Sequence, residues 1–160
     1  MSAGSRPSPN ARPQLKGNMK LPAKIEYAVK AVLELALRSE DGKPVPLELI
    51  ARTQQIPAQF LVQLLSRLKH AGVVDTVRGV TGGYALAKHP SKITLAEVFR
   101  AVDSQILEFP KPSSRKGECE AGRLFVGIWT DISCTVRKQL EVTLEELLVR
   151  LYTGQLTYQI

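Results

Sequence analysis

Cysteine is scarce in this chain. Cys119 and Cys134 are the two present in 160 residues, too few for a disulfide framework and too widely spaced for the paired CxxC form of a structural zinc site. They read as free thiols. Histidine is equally thin: His70 and His89 have no Asp, Ser or Cys motif beside them, so no catalytic constellation emerges and an enzyme is not expected. No apolar run of about eighteen residues occurs, and no charged-then-apolar leader stands at the N-terminus. Neither a membrane span nor a secretory signal is therefore expected, and the expected compartment is the cytoplasm. The glycine-rich stretch Gly79–Gly83 lacks a following Gly-Lys-Ser/Thr and an immediate helix, which argues against a nucleotide-phosphate cradle. No internal repeat is found.

What is present is a moderately apolar, basic chain, 44% hydrophobic with a net charge of +7. That length and composition suit one compact domain plus an appendage. The charge is unevenly placed: residues 1–100 carry 15 lysines and arginines against 7 carboxylates, and residues 101–160 carry 7 against 8. A basic part joined to a near-neutral part suits a protein that holds a polyanion at one end and does something else at the other.

Residues 1–18 are rich in Gly, Pro, Ser and Asn and read as a disordered tail, with Met19 a candidate natural start. From Leu21 to Ser39, apolar residues at Ile25, Ala28, Val29, Val32, Leu33 and Ala36 predict an amphipathic helix. Pro46 opens a short helix through Leu47, Leu49, Ile50 and Ala51, ended by a turn at Thr53–Ile56. A third helix runs from Pro57 to Ala71 on the stripe Leu61, Leu64, Leu65 and Leu68, with Gly72 as its left-handed stop. Two short helices across a tight turn, the second with a polar face, make a helix-turn-helix outline. Val73–Val77 and Tyr84-Ala85-Leu86, joined by a glycine-rich tip, then predict a β-hairpin in the place of a wing. Thr94 with Glu97 and Thr143 with Glu146 are capping boxes opening helices at Leu95–Val102 and Leu144–Tyr152. Between them lie an irregular stretch, residues 103–122, and a long helix near Leu124–Glu141. Thr157–Ile160 are read as a short final strand.

A recognition helix reads base edges with side chains near its N-terminus. Gln59 and Gln63 suit adenine, Val62 between them suits a thymine methyl, and Arg67 and Lys69 suit phosphates. Arg78 at the base of the wing suits a groove or a phosphate. A solvated polar helix face is the bland alternative for these residues, and the wing in the right order weighs against it.

These residues resemble the IscR/CymR, or Rrf-type, family of bacterial transcriptional regulators. The resemblance rests on Met19-Lys20-Leu21 with Lys24 and Tyr27-Ala28, on Gln63-Leu64 and Leu68 leading to Ala71-Gly72-Val73-Val74, and on Arg78-Gly79 with Gly82-Gly83-Tyr84. It continues through Ile93-Thr94, Ala101-Val102-Asp103, Thr143-Leu144 and Leu147. It implies a mainly α fold with a small β-wing: a winged helix-turn-helix head at 19–103, a sensor or regulatory loop at 104–122, and a dimerisation helix with a C-terminal helix at 123–160. It also implies a homodimer that binds a palindromic stretch of double-stranded DNA, as a repressor. The expected DNA contacts are Lys20, Lys24, Tyr27, Gln59, Gln63, Arg67, Lys69, Arg78, Gly79, Gly82, Gly83 and Tyr84.

Many members of that family hold an iron–sulfur cluster on three loop cysteines. Here those positions fall on Lys111, Gly117 and Arg123, so no cofactor is expected and the chain resembles the cluster-free branch. The alternative is a non-standard cluster in a dimer, on Cys119, Cys134 and Glu26 from the first helix of the second copy, weakened by Lys30 where some relatives place a histidine. Cys119 lies between Glu118 and Glu120, not in the electropositive setting of a reactive thiolate, and Cys134 reads as core or interface. A second reading of the whole chain is an interaction module that docks a partner enzyme. A partner protein or a small-molecule signal fits either reading.

Overall fold

Pro22 fixes an extended entry and opens α1 (Ala23–Leu37), whose Ile25, Ala28, Val32 and Leu35 recur at helical spacing and are buried. The computed structural model describes residues 21–38, 43–109 and 119–154. The expected tail at 1–18, the contact at Lys20 and the terminal strand at 157–160 lie outside the described residues.

Pro46 and Pro57 precede α2 (Leu47–Gln54) and α3 (Ala58–His70), each supplying a first carbonyl without needing an amide of its own. The turn between these helices is tight because Gln55 takes a left-handed conformation, φ 54°. Gly72, φ +70°, stops α3 as the sequence predicts. Leu61, Leu64, Leu65 and Leu68 of α3 meet Ile50 of α2 and the buried face of α1 in one core.

The hairpin follows as β1 (Val74–Val77) antiparallel to β2 (Gly83–Leu86), in the register Val74 to Leu86 and Val77 to Gly83. A third segment joins it: Val45 and Tyr84 exchange backbone hydrogen bonds of 2.8 and 2.9 Å. This closeness explains Gly83, and the tight tip of the hairpin explains Gly82. A Cβ on Gly83 would stand 2.4 Å from the Val45 carbonyl oxygen, and one on Gly82 would stand 2.5 Å from that of Val77. Gly79, at φ +128°, takes backbone angles that L side chains rarely adopt.

After a single 3-10 turn at Pro90–Lys92, α4 (Leu95–Val102) starts at the Thr94–Glu97 capping box. The second box, Thr143 with Glu146, opens α6 (Leu144–Tyr152). The two boxes lie side by side, because Leu95 donates to the Val142 carbonyl and Leu144 to that of Ile93, both at 2.9 Å. Leu144 is fully buried and α6 packs on α1.

Between them runs α5 (Glu120–Leu140), 21 residues long. It begins inside the stretch expected to be loop through Gly122, with Cys119 as its N-cap. A 21-residue helix spans about 31 Å, yet Ser133 is the single residue of α5 that is buried. Leu124, Phe125, Ile128, Ile132 and Val136 form an apolar stripe, 36–66% exposed. Cys134 corrects an expectation here. It is exposed and lies about 200° round the helix from Ile132, so it is neither core nor part of that stripe.

Candidate nucleic-acid interface

Gln59 and Gln63 stand on the exposed face of α3, with Val62 between them 44% exposed. The apolar stripe of α3 is consumed by the core, so these amides are held outward by the packing of Leu61, Leu64 and Leu65. Lys24, Phe60, Gln63, Leu64 and Arg67 line one small cleft between α1 and α3. This brings two of the expected phosphate-binding cations beside an expected base reader. Tyr27 sits below them, half-buried, its ring edge-on to Phe60 at 5.8 Å and 78°. Its ring is thus part of the platform that sets α1 against α3.

Both cations are already engaged. Lys24 Nζ lies 2.7 Å from Asp103 Oδ2, and Arg67 Nη1 donates to the Val102 carbonyl at 2.8 Å. The Lys24 ammonium, by that hydrogen bond, holds the Asp103 carboxyl below its ordinary value, with the Gln105 amide and Arg67 acting in the same sense. Lys69 donates to Thr76 Oγ1, tying the end of α3 to the wing strand. Arg78 is exposed at the mouth of the hairpin, next to Gly79. Gly82, Gly83 and Tyr84 are half-buried, and their close approaches are to Val77 and Val45 within the chain. Sequence reasoning missed the part played by Asp103 and Arg100, which border the same region. Asp103 was visible only as the last residue of Ala101-Val102-Asp103, with no local signal of its distant partner.

Behind this surface a buried carboxylate steadies the helix pair. Glu34 accepts from Arg38 at 2.6 Å and from the Gln54 amide at 2.8 Å, anchoring the C-terminal end of α2 to α1.

Within one protomer the donor set for an iron–sulfur cluster is not brought together. Cys119 is the N-cap of α5 and Cys134 lies within the same continuous helix, about 22 Å further along its axis at 1.5 Å per residue. Glu26 is paired to Lys30 at 2.5 Å on the surface of α1. The alternative set Cys119, Cys134 and Glu26 is therefore not assembled within the protomer. Among the described residues no group of three His, Cys, Asp or Glu side chains is placed to hold a metal ion. No described helix is long and apolar enough to cross a membrane.

Paired short helices with an outward polar face, followed by an antiparallel hairpin, define a winged helix-turn-helix protein. Comparison with known proteins agrees. Residues 21–150 match the Rrf2 family, described as an iron-dependent transcriptional regulator. The chain is 42% identical over 132 residues to the HTH-type transcriptional regulator IscR of Photorhabdus laumondii, covering 81% of this chain and 79% of that protein. Among solved structures, T. potens IscR superposes with a TM-score of 0.70 at 28% identity, over 88% of this chain and 93% of that one. CymR (YrzC), the global cysteine regulator of B. subtilis, gives 0.64 at 31% identity, over 81% and 95%. The chain belongs to the Rrf2 family of transcriptional regulators. Its relatives carry the names of regulators, not of enzymes.

Proposed function

We propose that this protein is a sequence-specific repressor that binds a palindromic operator as a homodimer in the cytoplasm. The observation that carries DNA reading is the outward face of α3, where Gln59, Val62 and Gln63 are exposed and Gln63 lines a cleft with Lys24 and Arg67. Two amides suit adenine edges and the valine a thymine methyl. Arg67, Lys69 and Lys24 then meet phosphates, Lys20 extends that set, and Arg78 enters the neighbouring groove from the wing. Gly79, Gly82 and Gly83 shape the hairpin that carries Arg78, with Tyr84 pinned to Val45.

The dimer reading rests on the uncovered stripe of α5, which has no partner surface within the described residues large enough to bury it. A second copy with the same stripe gives a two-fold pair of heads, and a two-fold protein reads an inverted repeat. Repression needs only that such a dimer occupy a promoter, with no further surface. The three loop positions that hold a cluster in relatives carry no thiolate here, and the two cysteines lie apart in the protomer, which favours a metabolite or a partner protein over bound iron–sulfur as the signal.

The test is fluorescence anisotropy with a duplex carrying the preferred inverted repeat. Affinity should fall steeply with salt, and Arg78→Ala should weaken it by about 1–3 kcal/mol. Unchanged affinity in Arg78→Ala removes the wing from the reading.

A further inference from the structure

The exit from α4 is bonded to the DNA-facing side of the head at two points. Asp103 receives Lys24 from α1, and the Val102 carbonyl receives Arg67 from α3. Asp103 is itself fixed, since its backbone amide donates to Phe99 at 2.9 Å and its Oδ1 accepts from the Gln105 amide at 3.2 Å. Beyond Gln105 the chain reaches Phe109, whose ring carries the Arg137 guanidinium of α5 at 5.6 Å from its centroid. A continuous set of contacts thus runs from α5 through Phe109 and Asp103 to Lys24, beside Gln63. An open cleft of about 460 Å³ lies over this junction, bordered by Arg100 as a third cation and by Gln105.

A carboxylate and a DNA phosphate compete for the same ammonium. Lys24 cannot give its full charge to a phosphate while Asp103 holds it at 2.7 Å. We propose that Asp103 is a latch that withholds Lys24 from the operator backbone, and that the segment from Ser104 to Phe109 sets DNA affinity by holding or releasing it. This rests on the reading of α3 and its flanking cations as a DNA interface. A change that pulls the 104–109 segment toward α5 opens the latch and tightens binding, and one that seats it closes the latch.

The experiment compares wild type, Asp103→Asn, Phe109→Ala and the double variant Lys24→Gln/Asp103→Asn on one operator duplex, by anisotropy across a salt series. Thermal melts confirm that each is folded. Asp103→Asn should bind about 5- to 10-fold more tightly at 0.1 M salt, with a salt slope steeper by about 0.9, the contribution of one additional neutralised phosphate. The double variant should lose that gain. Phe109→Ala, which removes the tie of the segment to Arg137 of α5, should weaken binding, by a smaller factor. If wild type binds the duplex but Asp103→Asn binds equally or more weakly, the latch is overturned and the DNA reading stands. If only Phe109→Ala is without effect, control through the segment is overturned. If wild type binds no duplex at low salt, the DNA reading falls and the latch with it.

Discussion

Placing a carboxylate in the α5 stripe, as Ile132→Glu, should split the proposed dimer. Ile132 is 47% exposed in the protomer and is flanked by Ile128 at 50% and Val136 at 36%. Full burial of such a side chain contributes about 1.5–3 kcal/mol, so covering the exposed half contributes about 1 kcal/mol. Five stripe residues on each of two helices therefore supply roughly 10 kcal/mol of gross burial. Association costs of about 4–15 kcal/mol stand against this, so the margin is small. Ile132→Glu removes about 2 kcal/mol of burial from the pair and adds two carboxylates to an apolar seam, a further penalty of several kcal/mol. The dissociation constant should rise by roughly a thousand-fold or more. Sedimentation equilibrium at micromolar protein reads this directly, with circular dichroism to show that the head remains folded. Cys134→Ser, on the far side of α5, is the control and should stay dimeric. A dimeric Ile132→Glu protein would refute the assignment of this stripe to the subunit interface.

Other outcomes follow from the same structure. Gly83→Ala forces a Cβ to 2.4 Å from the Val45 carbonyl and should lower stability by about 1–3 kcal/mol, seen as a lower Tm and weaker operator binding together. Because Lys24 holds the Asp103 carboxyl below the ordinary 3.8, the pair stabilises the fold fully above that value and loses its contribution as pH falls through the lowered one. The Tm difference between wild type and Asp103→Asn should accordingly shrink as pH is taken from neutrality to well below 3.8. An iron chelator should leave operator affinity unchanged, and anaerobically purified protein should be colourless with iron well below one per protomer; stoichiometric iron with visible absorbance would overturn the cluster-free reading.

Features set by neighbours in sequence were legible before any coordinates. The two capping boxes carry their own side-chain signature, and both helices begin where Thr94 and Thr143 place them. The Arg-Gly-x-x-Gly-Gly-Tyr stretch announced the hairpin, because a tip needing positive φ and close backbone approach has little choice but glycine. What was hidden depends on distant partners. Nothing local marks Glu34 as the buried acceptor of Gln54, nor Asp103 as the partner of Lys24, and the docking of α6 on α1 follows from a bridge between two separated loops. The start of α5 was missed because Cys119 makes no capping hydrogen bond and gives no N-terminal signal. For the proposed DNA contacts, sequence supplied the residue types on α3, and the fold supplied the fact that Lys24, Arg67 and Lys69 are each held within the protein.

Selection of duplexes from a random library by the wild-type protein, followed by sequencing, tests the central claim most directly. A DNA-reading dimer should enrich an inverted repeat whose half-sites are separated by about one helical turn, or a multiple of it. Enrichment of a single unpaired half-site would contradict the dimeric reading, and no enrichment over the starting library would contradict the assignment of α3 and the wing as a sequence-reading surface.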